Sequence, residues 1–183
     1  GTATSATGFG FEGTFVVGQP NFTSSAAVTT STGLNFPEGM AVDATRGKLY
    51  IVDRLNNRVV RYAYPITANN PVGQVVFGQP NFTSNAVNNG GLSASSLNTP
   101  IDVAVDPATG DLWVSDYQNH RLLRFAAAHS VTTNQVNAVQ VLGQANFISA
   151  GASTTLNGLN QPHGLNLDAA GRLWVADFGN NRV

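Results

Sequence analysis

At 183 residues, 42% of them hydrophobic, the chain holds enough apolar material for a packed core. Charged residues make up only 10%, against the usual quarter, and the net charge of -1 leaves no electrostatic footprint for nucleic acid or an anionic membrane. No apolar run approaches the length of a membrane span, and the absence of Cys excludes disulfides and thiolate metal sites.

The chain opens with neither an initiator Met nor a signal peptide, so it reads as a processed product or an excised piece. A low-charge surface rich in Asn, Thr and Ser is the sequence's one pointer to a compartment, and it points to a secreted or periplasmic bacterial protein. The first predicted element is a short strand over 14–17. It leads into Val17-Gly18-Gln19-Pro20-Asn21-Phe22, and a connection over 20–36 follows. Four strands are then expected, at 40–42, 48–52, 58–62 and 74–77, each rich in β-branched and aromatic residues and bounded by turn formers. The first two are joined by Asp43-Ala44-Thr45-Arg46-Gly47, in which the Asp can bond its own turn and the Gly supplies positive φ.

Everything after this point repeats. Pro37-Glu38-Gly39-Met40-Ala41-Val42-Asp43 returns as Pro100-Ile101-Asp102-Val103-Ala104-Val105-Asp106 and as Pro162-His163-Gly164-Leu165-Asn166-Leu167-Asp168. Leu49-Tyr50-Ile51-Val52-Asp53 returns as Leu112-Trp113-Val114-Ser115-Asp116 and Leu173-Trp174-Val175-Ala176-Asp177. The period is about 62 residues, with copies anchored near 37–62, 100–125 and 162–183. Gly-Gln-Pro-Asn-Phe recurs at 78–82 and, with Ala for Pro, at 143–147. The long connections recur over 80–99 and 145–161, lengths that mark functional or disordered segments in compact domains. No segment carries a capped helical stripe, so essentially no helix is expected.

Four-stranded units in tandem, none able to bury both faces alone, imply an all-β fold: a β-propeller of antiparallel blades, with three blades in this chain. The runs from Pro162 to Asp168, Leu173 to Asp177 and Asn180-Asn181-Arg182-Val183, with their counterparts in the other copies, resemble the NHL repeat. That resemblance implies a ring that usually has six blades, of which this chain would supply half. It also implies a family spanning ligand-binding and protein-binding scaffolds, RNA-binding domains and lyase relatives. Either the chain is a piece of a longer propeller, or two copies close one ring, each segment over 14–17 completing the other's last blade.

Asp53, Asn57 and Arg58, with Asp116, Asn119 and Arg121 and with Asp177, Asn181 and Arg182, occur in every copy. A catalytic centre is normally singular, so these sets are read as structural braces. Phe22, Phe82 and Phe147 are expected to tuck the loop bases over the blades. His120 is a variant of an Asn in the repeated turn, and His129 belongs to the opposite face. Asn21-Phe22-Thr23 and Asn81-Phe82-Thr83 fit the glycosylation pattern, which chance also produces in such a chain. Positions that differ between copies bear more on function: Glu38, Asp102 and His163 open the innermost strands and are expected at the funnel mouth, as a polar rim or as ligands to a divalent cation. The resemblance adds that Pro-His-Gly can supply a functional histidine in lyase relatives, which Pro162-His163-Gly164 matches. No other cofactor is expected. The leading expectation is a binding or interaction scaffold acting through the face of the long loops. A propeller lyase or hydrolase with a metal near Glu38, Asp102 and His163 is the alternative, and a purely structural array is the third.

Overall fold

The computed structural model describes residues 13–183. The first unit is a sheet of β1 (Pro37–Asp43), β2 (Lys48–Asp53), β3 (Arg58–Ala63) and β4 (Val75–Phe77), antiparallel and paired in that order. The second repeats it with β5 (Pro100–Val105), β6 (Leu112–Asp116), β7 (Arg121–Phe125) and β8 (Gln140–Leu142). The third pairs β9 (Pro162–Leu167) with β10 (Leu173–Asp177), and an isolated bridge from Asp177 to Arg182 marks the register of a further strand. That bridge repeats the pairings Asp53 to Arg58 and Asp116 to Arg121. The three sheets succeed one another with β1, β5 and β9 as neighbours on the inner side.

The turns obey their local chemistry. Asp43 Oδ1 accepts the Arg46 N–H at 3.1 Å, Asp106 Oδ1 that of Ala108 at 2.8 Å, and Asp168 Oδ1 that of Ala170 at 2.9 Å. Gly47, Gly110 and Gly171 take φ of 64°, 74° and 77°, where a Cβ would be strained. Among the described residues there is no α-helix, but four short 3₁₀ turns qualify the expectation of no helix. Three of them, Arg54–Asn56, Tyr117–Asn119 and Phe178–Asn180, follow the strand-ending Asp of each unit. Each is closed by a left-handed residue: Asn57, His120 or Asn181.

The core lies between units. Along β2, Tyr50 and Val52 face the second unit while Leu49 and Ile51 face the other way, and all four are buried. Phe77 is wholly buried between Tyr50 and Phe125, with ring centroids 6.3 and 5.1 Å away. Leu97, Val103, Val114 and Leu123 complete this cluster from the second unit. Trp174, the counterpart of Tyr50, is 50% exposed, because among the described residues no fourth unit covers it. Residues 14–17 form no strand, contrary to expectation, because no third-strand neighbour pairs with them. They nevertheless stand where a fourth strand stands. Val16 accepts from the Asn70 N–H at 2.8 Å and donates to Asn69 Oδ1 at 3.0 Å, just as Val76 accepts from Gln135 and donates to Asn134 Oδ1, each at 3.0 Å.

Candidate functional site

The repeated acid sits at the end of the second strand of each unit, turned under the 3₁₀ turn. Asp53 Oδ2 accepts from Arg58 Nε at 2.6 Å and Asn56 Nδ2 at 2.9 Å, and Oδ1 from the Asn35 N–H at 2.6 Å. Asp116 repeats this with Arg121, Asn119 and Asn98, and Asp177 with Arg182, Asn180 and Asn160. The amide that binds the carboxylate is thus Asn56, Asn119 or Asn180. Asn57 and Asn181, which the sequence set beside Asn119, are instead the left-handed residues one place on.

The arginines reach further. Arg58 donates to the carbonyls of Thr30, Gly33 and Phe82, and Arg121 to those of Ser93, Ser96 and Phe147. Arg182 donates to Thr154, Thr155 and Gly158. Each guanidinium therefore nails the base of a long connection to the blade, which costs a floppy loop its freedom and makes a fixed surface. Gln79 and Gln144 add a second anchor. Their Nε2 groups donate to the carbonyls of Ala86 and Gly151, seven residues on, and to those of Asn57 and His120. Gln19 donates likewise to Ala26. The repeated Gly-Gln was visible in the sequence, but the glutamine's task was not. Phe82 and Phe147 pack against the core clusters, whereas Phe22 is 47% exposed.

Burial pushes the carboxyls of Asp53 and Asp116 up, against the opposing pull of Arg58 and Arg121. At Asp177, nearer to solvent, burial also opposes ionisation. There the N–H donors of Asn160, Asn180 and Arg182 prevail, and the carboxyl is held below its usual range.

Above this frame lies a rim. Pro37, Pro100 and Pro162 pair with Asp53, Asp116 and Asp177, and the residues that follow each proline and each acid stand at this same end of the unit. In the first unit these are Glu38 and Arg54, ion-paired at 2.5 Å. In the second they are Ile101, buried, and Tyr117, half-buried. In the third they are His163 and Phe178, both exposed, with ring centroids 5.7 Å apart. The Tyr117 ring approaches His163 edge-on at 6.1 Å. Phe36, just before Pro37, is also exposed. The long connections reach the same turns: Asn56 Oδ1 accepts from Thr29 Oγ1, Asn88 and Asn119 exchange amide bonds, and Asn180 donates to the Ser153 carbonyl.

Glu38, Asp102 and His163 do not form the expected cation site. Among the described residues no three His, Asp or Glu side chains are grouped to hold a metal ion. Glu38 is engaged by Arg54, and His163 lies against aromatic rings. Asp102 is one residue further along than the other two, and it acts between strands. Its Oδ2 accepts the Leu165 N–H of β9 at 2.8 Å, and its Oδ1 accepts the Val103 N–H at 2.9 Å. Gly39 of β1 has no room for a Cβ, which would stand 2.7 Å from the Asp102 Cα. The bulged start of the inner strands leaves N–H groups unpaired in the sheet, and the carboxylate answers that need.

These features define a class: four-stranded β-sheet units of propeller type, braced by a buried Asp–Asn–Arg set and presenting a rim of differing side chains. The NHL repeat profile matches residues 34–62, 97–125 and 159–183, and the chain is an NHL-repeat protein. Among solved structures it is similar to a luciferin-regenerating enzyme, at 15% identity and a TM-score of 0.45 over 75% of this chain and 35% of that one. It is also similar to a streptogramin B lyase, at 13% identity and a TM-score of 0.39 over 82% of this chain and 42% of that one. The chain spans less than half the length of either.

Proposed function

We propose that the protein is a binding scaffold whose contacts are made by the rim of the inner strands and the loops around it. One observation carries this reading. The Asp–Asn–Arg frame is the same in all three units, while the positions above it carry an ion pair in the first, an aliphatic and an aromatic residue in the second, and an imidazole–aromatic contact in the third. A rigid frame that repeats and a surface that varies is the arrangement a recognition face requires, because fixed side chains lose little entropy on binding. Phe178 supplies an apolar ring, His163 and Tyr117 supply rings with a polar handle, and Glu38 with Arg54 supplies charge of both signs. Nuclear magnetic resonance with a library of small aromatic and acidic fragments tests it. Shifts are expected to cluster at Gly39, Tyr117, Gly164 and Phe178, and to vanish in the double variant His163→Ala, Phe178→Ala. Shifts confined to the turns at Arg46, Ala108 and Ala170 would overturn the reading.

The rim belongs, in this proposal, to a ring completed by a second copy of the chain. The bonds of Val16 support it, since they repeat those that the fourth strand of the first unit makes at Val76. Light scattering across a gel-filtration peak is expected to read twice the 19.1 kDa chain mass. A stable single-chain mass at all concentrations would reject pairing.

A further inference from the structure

The residue before each inner-strand proline is left-handed: Phe36, Thr99 and Gln161 have φ of 59°, 53° and 53°. At two of these places the backbone N–H is caught by the preceding unit. Thr99 donates to Asn57 Oδ1 at 2.8 Å, and Gln161 donates to His120 Nδ1 at 3.0 Å. Asn57 and His120 are equivalent residues with the same φ of 51°. One bond is thus made twice between units. At the first junction its acceptor is an amide oxygen that never titrates, and at the second it is an imidazole nitrogen that does.

We propose that His120 is an acid-sensitive latch on the junction between the second and third units. As an acceptor, Nδ1 carries no proton, so the hydrogen of the neutral ring is on Nε2. Protonation places an N–H on Nδ1, directly against the Gln161 N–H, and turns a hydrogen bond into two opposed donors. Gln161 leads straight into Pro162 and His163, so the latch holds the third unit's share of the rim. No equivalent change occurs at Thr99.

The surroundings allow this. His120 is half-buried, its own carbonyl is held by Gln144 Nε2, and Tyr117 precedes it in the turn. From its own unit the charge that acts on it is Asp116, which favours the imidazolium but is already occupied by Arg121, Asn119 and Asn98. From the third unit Gln161 presents only its amide, and the adjacent Asn160 bonds Asp177, which is paired with Arg182. Burial holds the imidazole below its usual 6.5. The folded state therefore prefers the neutral ring. The junction is intact above 6.5 and weakens as pH falls below it, because the unfolded chain takes up the proton first.

Amide hydrogen exchange of the intact chain, read residue by residue and corrected for intrinsic rate, tests the latch independently of what the rim binds. Between about pH 7.5 and about pH 5 the Gln161 protection factor is expected to fall about ten-fold or more while that of Thr99 stays within about two-fold. In His120→Asn, which places the first junction's residue at the second, Gln161 is expected to become as insensitive as Thr99. An unchanged Gln161 in the wild type, an equal fall at Thr99, or the same fall in His120→Asn would each overturn the proposal. The comparison of Gln161 with Thr99 in the wild-type protein decides it even if the variant does not fold.

Discussion

Arg121→Ala is expected to lower the stability of the protein by about 3–5 kcal/mol, the cost of stripping one partner from a buried charge pair. Both Arg121 and Asp116 are fully buried. The substitution leaves the carboxylate with only amide donors, and it leaves the carbonyls of Ser93, Ser96 and Phe147 without theirs. Lysine would not rescue it, because a single ammonium cannot serve a carboxylate and three carbonyls lying in different directions. Arg172 is an internal control. It pairs with Asp168 through a side chain that is 72% exposed, and Arg172→Ala is expected to cost about 1 kcal/mol or less. Urea unfolding of the two variants beside the wild type measures the difference. Equal losses would mean that the frame is no more than a surface pair.

Phe77→Ala is the second large effect, about 3–5 kcal/mol, from lost transfer energy and the cavity left between the first two units. Its ring touches Tyr50 on its own sheet and Phe125 on the next, so the cavity opens at the junction rather than within either sheet. In a tandem array stability is a sum of unit and interface terms, and a weakened interface uncouples its neighbours. Thermal unfolding of Phe77→Ala should therefore broaden or split as well as shift down. Phe22→Ala, at an exposed ring, should stay within about 0.5 kcal/mol of wild type. A single sharp transition at the wild-type temperature would show that the units are not joined through Phe77.

The strands were legible because their signal is local. Alternation along β2 and β6, the Asp and Gly of each hairpin, and the repeat itself are properties of neighbouring residues, and the observed sheets begin and end close to where those residues point. The brace was legible for a different reason: it recurs, and a recurring charge pair with an amide beside it asks for a structural explanation. Its asparagine was assigned one place too late in two copies, because Asn-Asn offers two amides and only the geometry of the 3₁₀ turn tells the bonding one from the left-handed one. The three expected cation ligands are not grouped among the described residues. Glu38, Asp102 and His163 share a neighbourhood in the alignment of the copies, but a shift of one residue gives Asp102 to the next strand's N–H, and Arg54 claims Glu38.

By itself, then, the sequence determined the unit: four short strands, their turns, the brace and the period, each set by interactions within a few residues or by repetition. Only the tertiary structure decided the junctions. The partners there are far apart in the chain, 63 residues for Asp102 and Leu165 and 41 for His120 and Gln161. One member of each pair is a backbone N–H, a donor that every residue but proline carries and that no sequence pattern distinguishes until the fold brings an acceptor to it.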